Sequence, residues 1–284
     1  MRRENPVFWY HLTGQSRYRW RKQKALTLIT GALVALIYLY LLSQTIKYEI
    51  ETVVVQILGL LLVCLLIPLG CYSLFSMEYE KATWESLAIT RLTVDEIVFG
   101  KWFSRVLGVL IVTLLIAPVS LIAWLQEKQD PIPFSDWLGA MWMLLGWGVL
   151  LVSLGMWLSL RLRHSIASAS LLYGIQVFLL LFLPLLVTLL MSLAAMDARI
   201  DLLTFEVGEN PSLLISLWFW LTLPFDWRVI FLLNPFIATQ QLLYARSDES
   251  LPLLYGWAQG CYYWLFAGLF YWFTRQGVRH LWRK

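Results

Sequence analysis

The chain has 284 residues, 60% of them hydrophobic and 14% charged, with a formal net charge of +4. A soluble domain carries nearer a quarter charged residues, so most of this surface must face lipid. The apolar runs are continuous rather than short and alternating, which excludes a membrane β-barrel and leaves an all-α polytopic membrane protein.

Residues 1–24 are polar and basic, with no apolar core ahead of a small-residue cleavage site. They read as a cytoplasmic interfacial segment rather than a cleaved signal. Residues 25–284 read as a single transmembrane domain. Six apolar stretches have the length that a bilayer requires: Ala25–Ile46, Val53–Met77, Val106–Gln126, Trp137–Leu160, Ile166–Met196 and Leu251–Phe273. Pro68 and Pro118 can kink the second and third spans, and the fifth can tilt or bend at Pro184. Neighbouring helices satisfy the carbonyls that proline frees.

Lysine and arginine set the orientation. Of the 22, 17 lie before the first span or after the second, fourth and sixth. The 18 acids divide the other way, 6 against 12. The basic side is the cytoplasm, and both ends of the chain are expected there. Residues 197–252 then lie outside. Within them, Pro211–Phe225 and Arg228–Tyr244 are apolar but short, and read as re-entrant or interfacial helices. Two tilted full spans are the alternative. Trp9, Trp20, Trp102, Trp124, Trp137, Trp272 and Trp282 fall at expected headgroup levels, where an indole is favoured.

Several chemistries lack their hardware. The spans carry no Asp, Glu, Lys or Arg at depth. Lys101 and Arg105 are expected to snorkel from the mouth of the third span. Ion-coupled transporters place ionisable groups at that depth. Interior polarity is confined to Gln56, Gln176, Gln259 and scattered hydroxyls. There is no phosphate-binding glycine loop, no H-E-x-x-H and no G-x-S-x-G. His11, His164 and His280 are dispersed, and Cys64, Cys71 and Cys261 read as buried structural thiols. The acids Asp197, Asp201, Glu206 and Glu209 read as a solvated loop. No metal, cofactor or catalytic residue is expected in this chain.

Between the second and third spans lies EYEKATWESLAITRLTVDEIVFGK, Glu78 to Lys101. Glu78 to Thr90 suits a short amphipathic helix, broken at Arg91–Leu92. Thr93-Val94-Asp95-Glu96 is a capping box that starts a second helix leading through Gly100 into the third span. One reading is a loop resting on headgroups. The other is a docking helix for a soluble partner. The excess of acid favours the second, because anionic lipid repels it.

This segment resembles the cytoplasmic signature of type 2 ABC exporter permeases. Glu78, Glu80, Thr83, Glu85, Leu87, Thr90, Leu92, Glu96, Ile97, Gly100 and Lys101 fall in register with that pattern. Ala82 stands where the family favours Gly, and Arg91 where it favours Pro. Asn5-Pro6 and Leu233-Asn234-Pro235 are weaker echoes. The resemblance implies a permease subunit of an ATP-driven exporter in a bacterial inner (cytoplasmic) membrane. It implies separate ABC ATPase subunits, which bind ATP and Mg, and a second permease copy or paralogue. Glu78, Glu80, Lys81, Thr83, Trp84 and Glu85 would contact the ATPase. Thr93, Glu96, Gly100 and Lys101 would form the structural turn. Val7 to Trp20 would be an interfacial connecting helix with Phe8, Trp9 and Leu12 toward lipid. No nucleic-acid partner is implied. A non-transporting scaffold or sensor partner, and a membrane-embedded lipid-modifying enzyme, are the competing functions. The apolar, aromatic character of the spans suits a hydrophobic or amphipathic cargo.

Overall fold

Runs of Leu, Val and Ile uninterrupted by charge form helix in lipid, because every backbone polar group must be paired within the segment. The computed structural model describes residues 24–83, 92–127, 132–186, 189, 234–244 and 255–282. Among the described residues all regular structure is helical. The elements are α1 (Lys24–Tyr48), α2 (Thr52–Cys71), α3 (Ser76–Glu80), α4 (Val94–Gln126), α5 (Phe134–Leu162), α6 (Ser165–Val177), α7 (Pro235–Tyr244) and α8 (Tyr255–Trp282). Among the described residues four segments are long and apolar enough to cross a membrane: Thr52–Glu80, Val94–Gln126, Phe134–Leu162 and Ser165–Leu186. The helices α1 and α8 have 25 and 28 residues, the length that the expected first and sixth spans require. The expected helices at Val7–Trp20 and Pro211–Phe225 lie outside the described residues.

α5 is the axis of the bundle. Its core-facing residues run on every side, from Trp137 through Met143, Leu144, Leu151 and Met156 to Leu160. A helix apolar all round belongs at the centre. Its most extensive contact is with α8. Small residues set that approach, as membrane helix pairs require. A Cβ on Gly256 would sit 3.1 Å from the backbone of Gly139. One on Gly260 would sit 2.1 Å from Trp142 Cδ1. α2 and α4 close the core from the other side through Val53, Leu60, Val63, Val109 and Ile116.

Several interior polar groups are paired within the bundle. Gln56 Nε2 donates to Ser120 Oγ (2.9 Å), which also accepts from Trp137 Nε1 (2.9 Å). Gln176 Nε2 donates to the Cys64 carbonyl (3.3 Å), and Gln259 Nε2 to the Tyr263 hydroxyl (3.1 Å). Trp102 and Trp124 also donate within the protein, to Ser153 Oγ (2.9 Å) and the Ile132 carbonyl (2.8 Å). Trp137 is buried in the bundle, in the first turn of α5. Cys64 and Cys71 are buried as expected, but Cys261 is exposed. It shares the outward face of α8 with Leu265 and Trp272, at helical spacing.

α6 runs into a π turn, Phe178–Phe182, and then helix again to Leu186. The turn directly precedes Pro184, the expected bend. Proline has no N–H to offer the carbonyl four residues back, which here is Leu180. Asn234 Nδ2 donates to that carbonyl instead (2.8 Å). The Asn234 Oδ1 accepts from the Phe236 N–H (2.9 Å), capping the start of α7. One amide thus repairs one helix and starts another. α7 has 10 residues, about half a bilayer's thickness, and buries Ala238, Thr239, Leu242 and Leu243 in the bundle.

Candidate functional site

The signature residues gather at one end of the bundle. α3 begins there with two backbone donors, Phe75 N–H and Ser76 N–H, which need acceptors. Both donate to Ser159 Oγ on α5, each at 2.8 Å. α3 ends in a complete Schellman motif. The Ala82 N–H donates to the Tyr79 carbonyl (3.1 Å) and the Thr83 N–H to the Glu78 carbonyl (2.9 Å). The Thr83 hydroxyl also reaches the Glu78 carbonyl (3.4 Å). Ala82 carries the left-handed φ of 52° that this motif demands. Only glycine adopts it without strain, which is a physical reason for a Gly preference at this position. Of the stretch expected to be helical from Glu78 to Thr90, the structure describes residues 78–83, and α3 covers the first of them. It starts at Ser76, ends at Glu80 and turns at Lys81–Ala82. Trp84 and Glu85 lie outside the described residues.

The side chains of α3 fasten it to three other helices. Glu78 Oε1 pairs with Lys101 Nζ on α4. That ammonium also donates to the Leu74 carbonyl (2.6 Å) and lies 4.2 Å from the Phe75 ring centroid. Lys101 is 0% exposed and Glu78 is 17% exposed. The expected snorkelling of Lys101 is thereby corrected. α4 begins seven residues ahead of it, and two helical turns carry the side chain onto α3. Burying a lone ammonium costs several kcal/mol, and the carboxylate and carbonyl offset it. Arg105, one turn on, lies half-buried along Gly70 of α2. Glu80 Oε1 accepts from the Ser165 N–H (2.6 Å) and hydroxyl (2.8 Å), which places an anion at the start of α6. Lys81 is exposed, its N–H spent on the Met77 carbonyl (3.0 Å).

The expected turn residues hold the start of α4. Thr93 Oγ1 accepts from the Glu96 N–H (3.3 Å), and Glu96 Oε2 accepts from the Thr93 N–H (2.8 Å). This is the reciprocal capping box. Gly100 is buried within the same helix. Asp95, beside the box, receives a bidentate pair of hydrogen bonds from Arg275 of α8, at 2.6 Å each. Arg279, one turn on, adds a longer contact at 3.3 Å. Fork-on-carboxylate geometry fixes orientation as well as charge. The segment read as a docking element is therefore bolted to α4, α5, α6 and α8. Its fastening by Ser159, Ser165 and Arg275 has no local signal in the sequence, since those partners are 83 to 180 positions distant.

Bonds between described residues also tie the opposite end of the bundle. Thr52 Oγ1 donates to Glu127 Oε2 (2.5 Å), and Gln126 Nε2 to the Ile46 carbonyl (3.1 Å).

The family described as ABC-2 family transporter protein matches residues 22–243. No curated protein matches the chain. That span takes in α1 to α6, α7 up to its last residue, the capping box, the Glu78–Lys101 pair and the Asn234 cap. With apolar helices of membrane length around it, the chain belongs to the ABC-2 transporter family, as a transmembrane permease component of an ABC transporter.

Proposed function

We propose that this chain is the permease subunit of an ATP-driven exporter, moving a solute outward while docked on separate ATPase subunits that bind ATP and Mg. It crosses a bacterial inner membrane six times, with both ends in the cytoplasm, and pairs with a second permease copy or paralogue. Residues 25–284 act as one transmembrane unit. The segment 78–101 is its coupling element.

The observation that carries this reading is the fastening of α3. Its five residues are tied to α4 through Glu78–Lys101, to α5 through Ser159 and to α6 through Glu80–Ser165. A force on this short helix reaches the ends of three spans at once. ATP shifts a conformational equilibrium only through an element whose contacts differ between the two states. A helix bolted to several spans meets that need, and a loop resting on lipid does not. Glu78 and Glu80 serve as the bolts, and Lys81, Thr83, Trp84 and Glu85 present the surface to the ATPase.

The test is co-purification with a candidate ABC ATPase in mild detergent. A stable complex with ATP turnover is expected. Replacing Lys81 and Glu85 by Ala should weaken the complex and lower turnover while the permease still elutes as a single species. Absence of any associated ATPase, or turnover indifferent to both replacements, sinks the proposal.

A further inference from the structure

At the same end of the bundle a cleft of about 880 Å³ opens between the C-terminal turns of α5 and α8. Arg161, Arg163, Arg279 and His280 supply its polar wall, and Trp157 and Phe273 stand on its apolar wall. Among the described residues no carboxylate lines it. Asp95 touches Arg279 from outside at 3.3 Å, but its shorter bonds go to Arg275. The guanidinium of Arg163 lies 5.0 Å from the Tyr79 ring centroid, a cation–π contact that adds no anion. Three arginines and a histidine thus converge on one opening, with Asp95 the one acid among the described residues shown to touch them. Such a field draws an anion.

The second half of the observation selects the anion. Phe273 and Trp272, at 39% and 48% exposure, continue the apolar wall onto the outward surface of α8, through Leu269 to Leu265. The cleft is cationic at the bundle end and apolar along the span. A soluble acidic protein or free phosphate would answer the charge and leave the apolar wall unused. An anionic phospholipid answers both, and basic pockets between membrane helices on the cytoplasmic side recognise such headgroups. We infer that this cleft binds an anionic phospholipid, its phosphate among Arg161, Arg279 and His280 and an acyl chain along Phe273. The inference rests on the membrane setting of the chain and on its basic end being cytoplasmic. It does not depend on ATPase docking.

The full chain in neutral detergent is titrated with dioleoyl phosphatidylglycerol or dioleoyl phosphatidylcholine, and retained lipid is counted by native mass spectrometry. Phosphatidylglycerol should be retained about tenfold more tightly. Arg161→Gln with His280→Gln should abolish that preference, and Arg161→Lys should keep most of it. Arg161→Glu alone should expel phosphatidylglycerol, which keeps the test open should the double variant not fold. Equal retention of the two lipids overturns the inference, as does an unchanged preference in the double or charge-reversed variant. Displacement by millimolar inorganic phosphate overturns it too, by revealing a simple anion site. A double variant that keeps its lipid and loses an associated ATPase assigns the arginines to a protein partner instead.

Discussion

The Lys101 ammonium is sealed inside the protein against the Glu78 carboxylate, and the pair joins the first turns of α4 to the short helix that follows α2. Both residues belong to the segment between two spans, 23 positions apart. Their pairing means that this segment leaves the second span and enters the third as one braced unit.

A buried charge without its partner is costly, so Lys101→Met should destabilise the chain by about 3 kcal/mol by stranding Glu78. Combining it with Glu78→Leu should recover much of that loss, since two well-packed apolar groups replace a buried ion pair at little net cost. Thermal unfolding in micelles of the two single variants and the double variant forms the cycle. Additive losses would mean that the two side chains do not work as a pair.

Ala82 occupies a left-handed position with φ of 52°. Ala82→Gly relieves the Cβ clash with the following carbonyl and should stabilise the protein by about 1 kcal/mol. Ala82→Val should lower stability, because a β-branched residue is a poorer fit to that region. The comparison is a melting-temperature ranking, Gly above Ala above Val. A lower value for the Gly variant would rule out the Schellman turn.

Asn234 does two jobs, and substitutions separate them. Asn234→Ala loses both the α7 cap and the donor to Leu180, a cost of about 2 kcal/mol. Asn234→Asp keeps the cap but cannot donate when ionised, so its loss should fall between. Pro184→Ala returns a backbone N–H to α6 and should soften the Asn234→Ala defect. Equal defects with and without Pro184 would show that the Leu180 carbonyl is not what Asn234 serves.

Asp95 and Arg275 lie on the exposed rim, Asp95 at 49% exposure, so their pair contributes little to stability. Its value is geometric, locking α4 to α8 at the end that carries α3. Asp95→Ala should leave the melting temperature nearly unchanged while lowering ATPase-coupled turnover several-fold. Exchanging the residues, Asp95→Arg with Arg275→Asp, should restore part of the coupling. Full coupling in Asp95→Ala would remove this contact from the transmission path.

Much of the site was legible because it is local. The Thr93–Glu96 capping box needs residues three positions apart, and it appears where that spacing put it. The helix leading from Val94 through Gly100 into the third span is also observed. The turn at Ala82 was not legible, because Ala82 is a good helix former taken alone. Tertiary fastening of α3 from both sides imposes the left-handed turn there. Lys101 was read as snorkelling because its burial depends on which way α4 rotates about its axis, and no short window encodes that.

What the sequence determined unaided was the helical membrane class and the position of four apolar helices long enough to cross a bilayer. These follow from rules that act within about a turn of helix or along one apolar run, where each residue's neighbours are known from the chain itself. Only the tertiary structure decided that Asn234 would serve Leu180, that Ser159 would cap α3 and that Arg275 would grip Asp95. Those choices belong to helix rotation and packing, since a side chain's partner across a bundle is set by which faces meet.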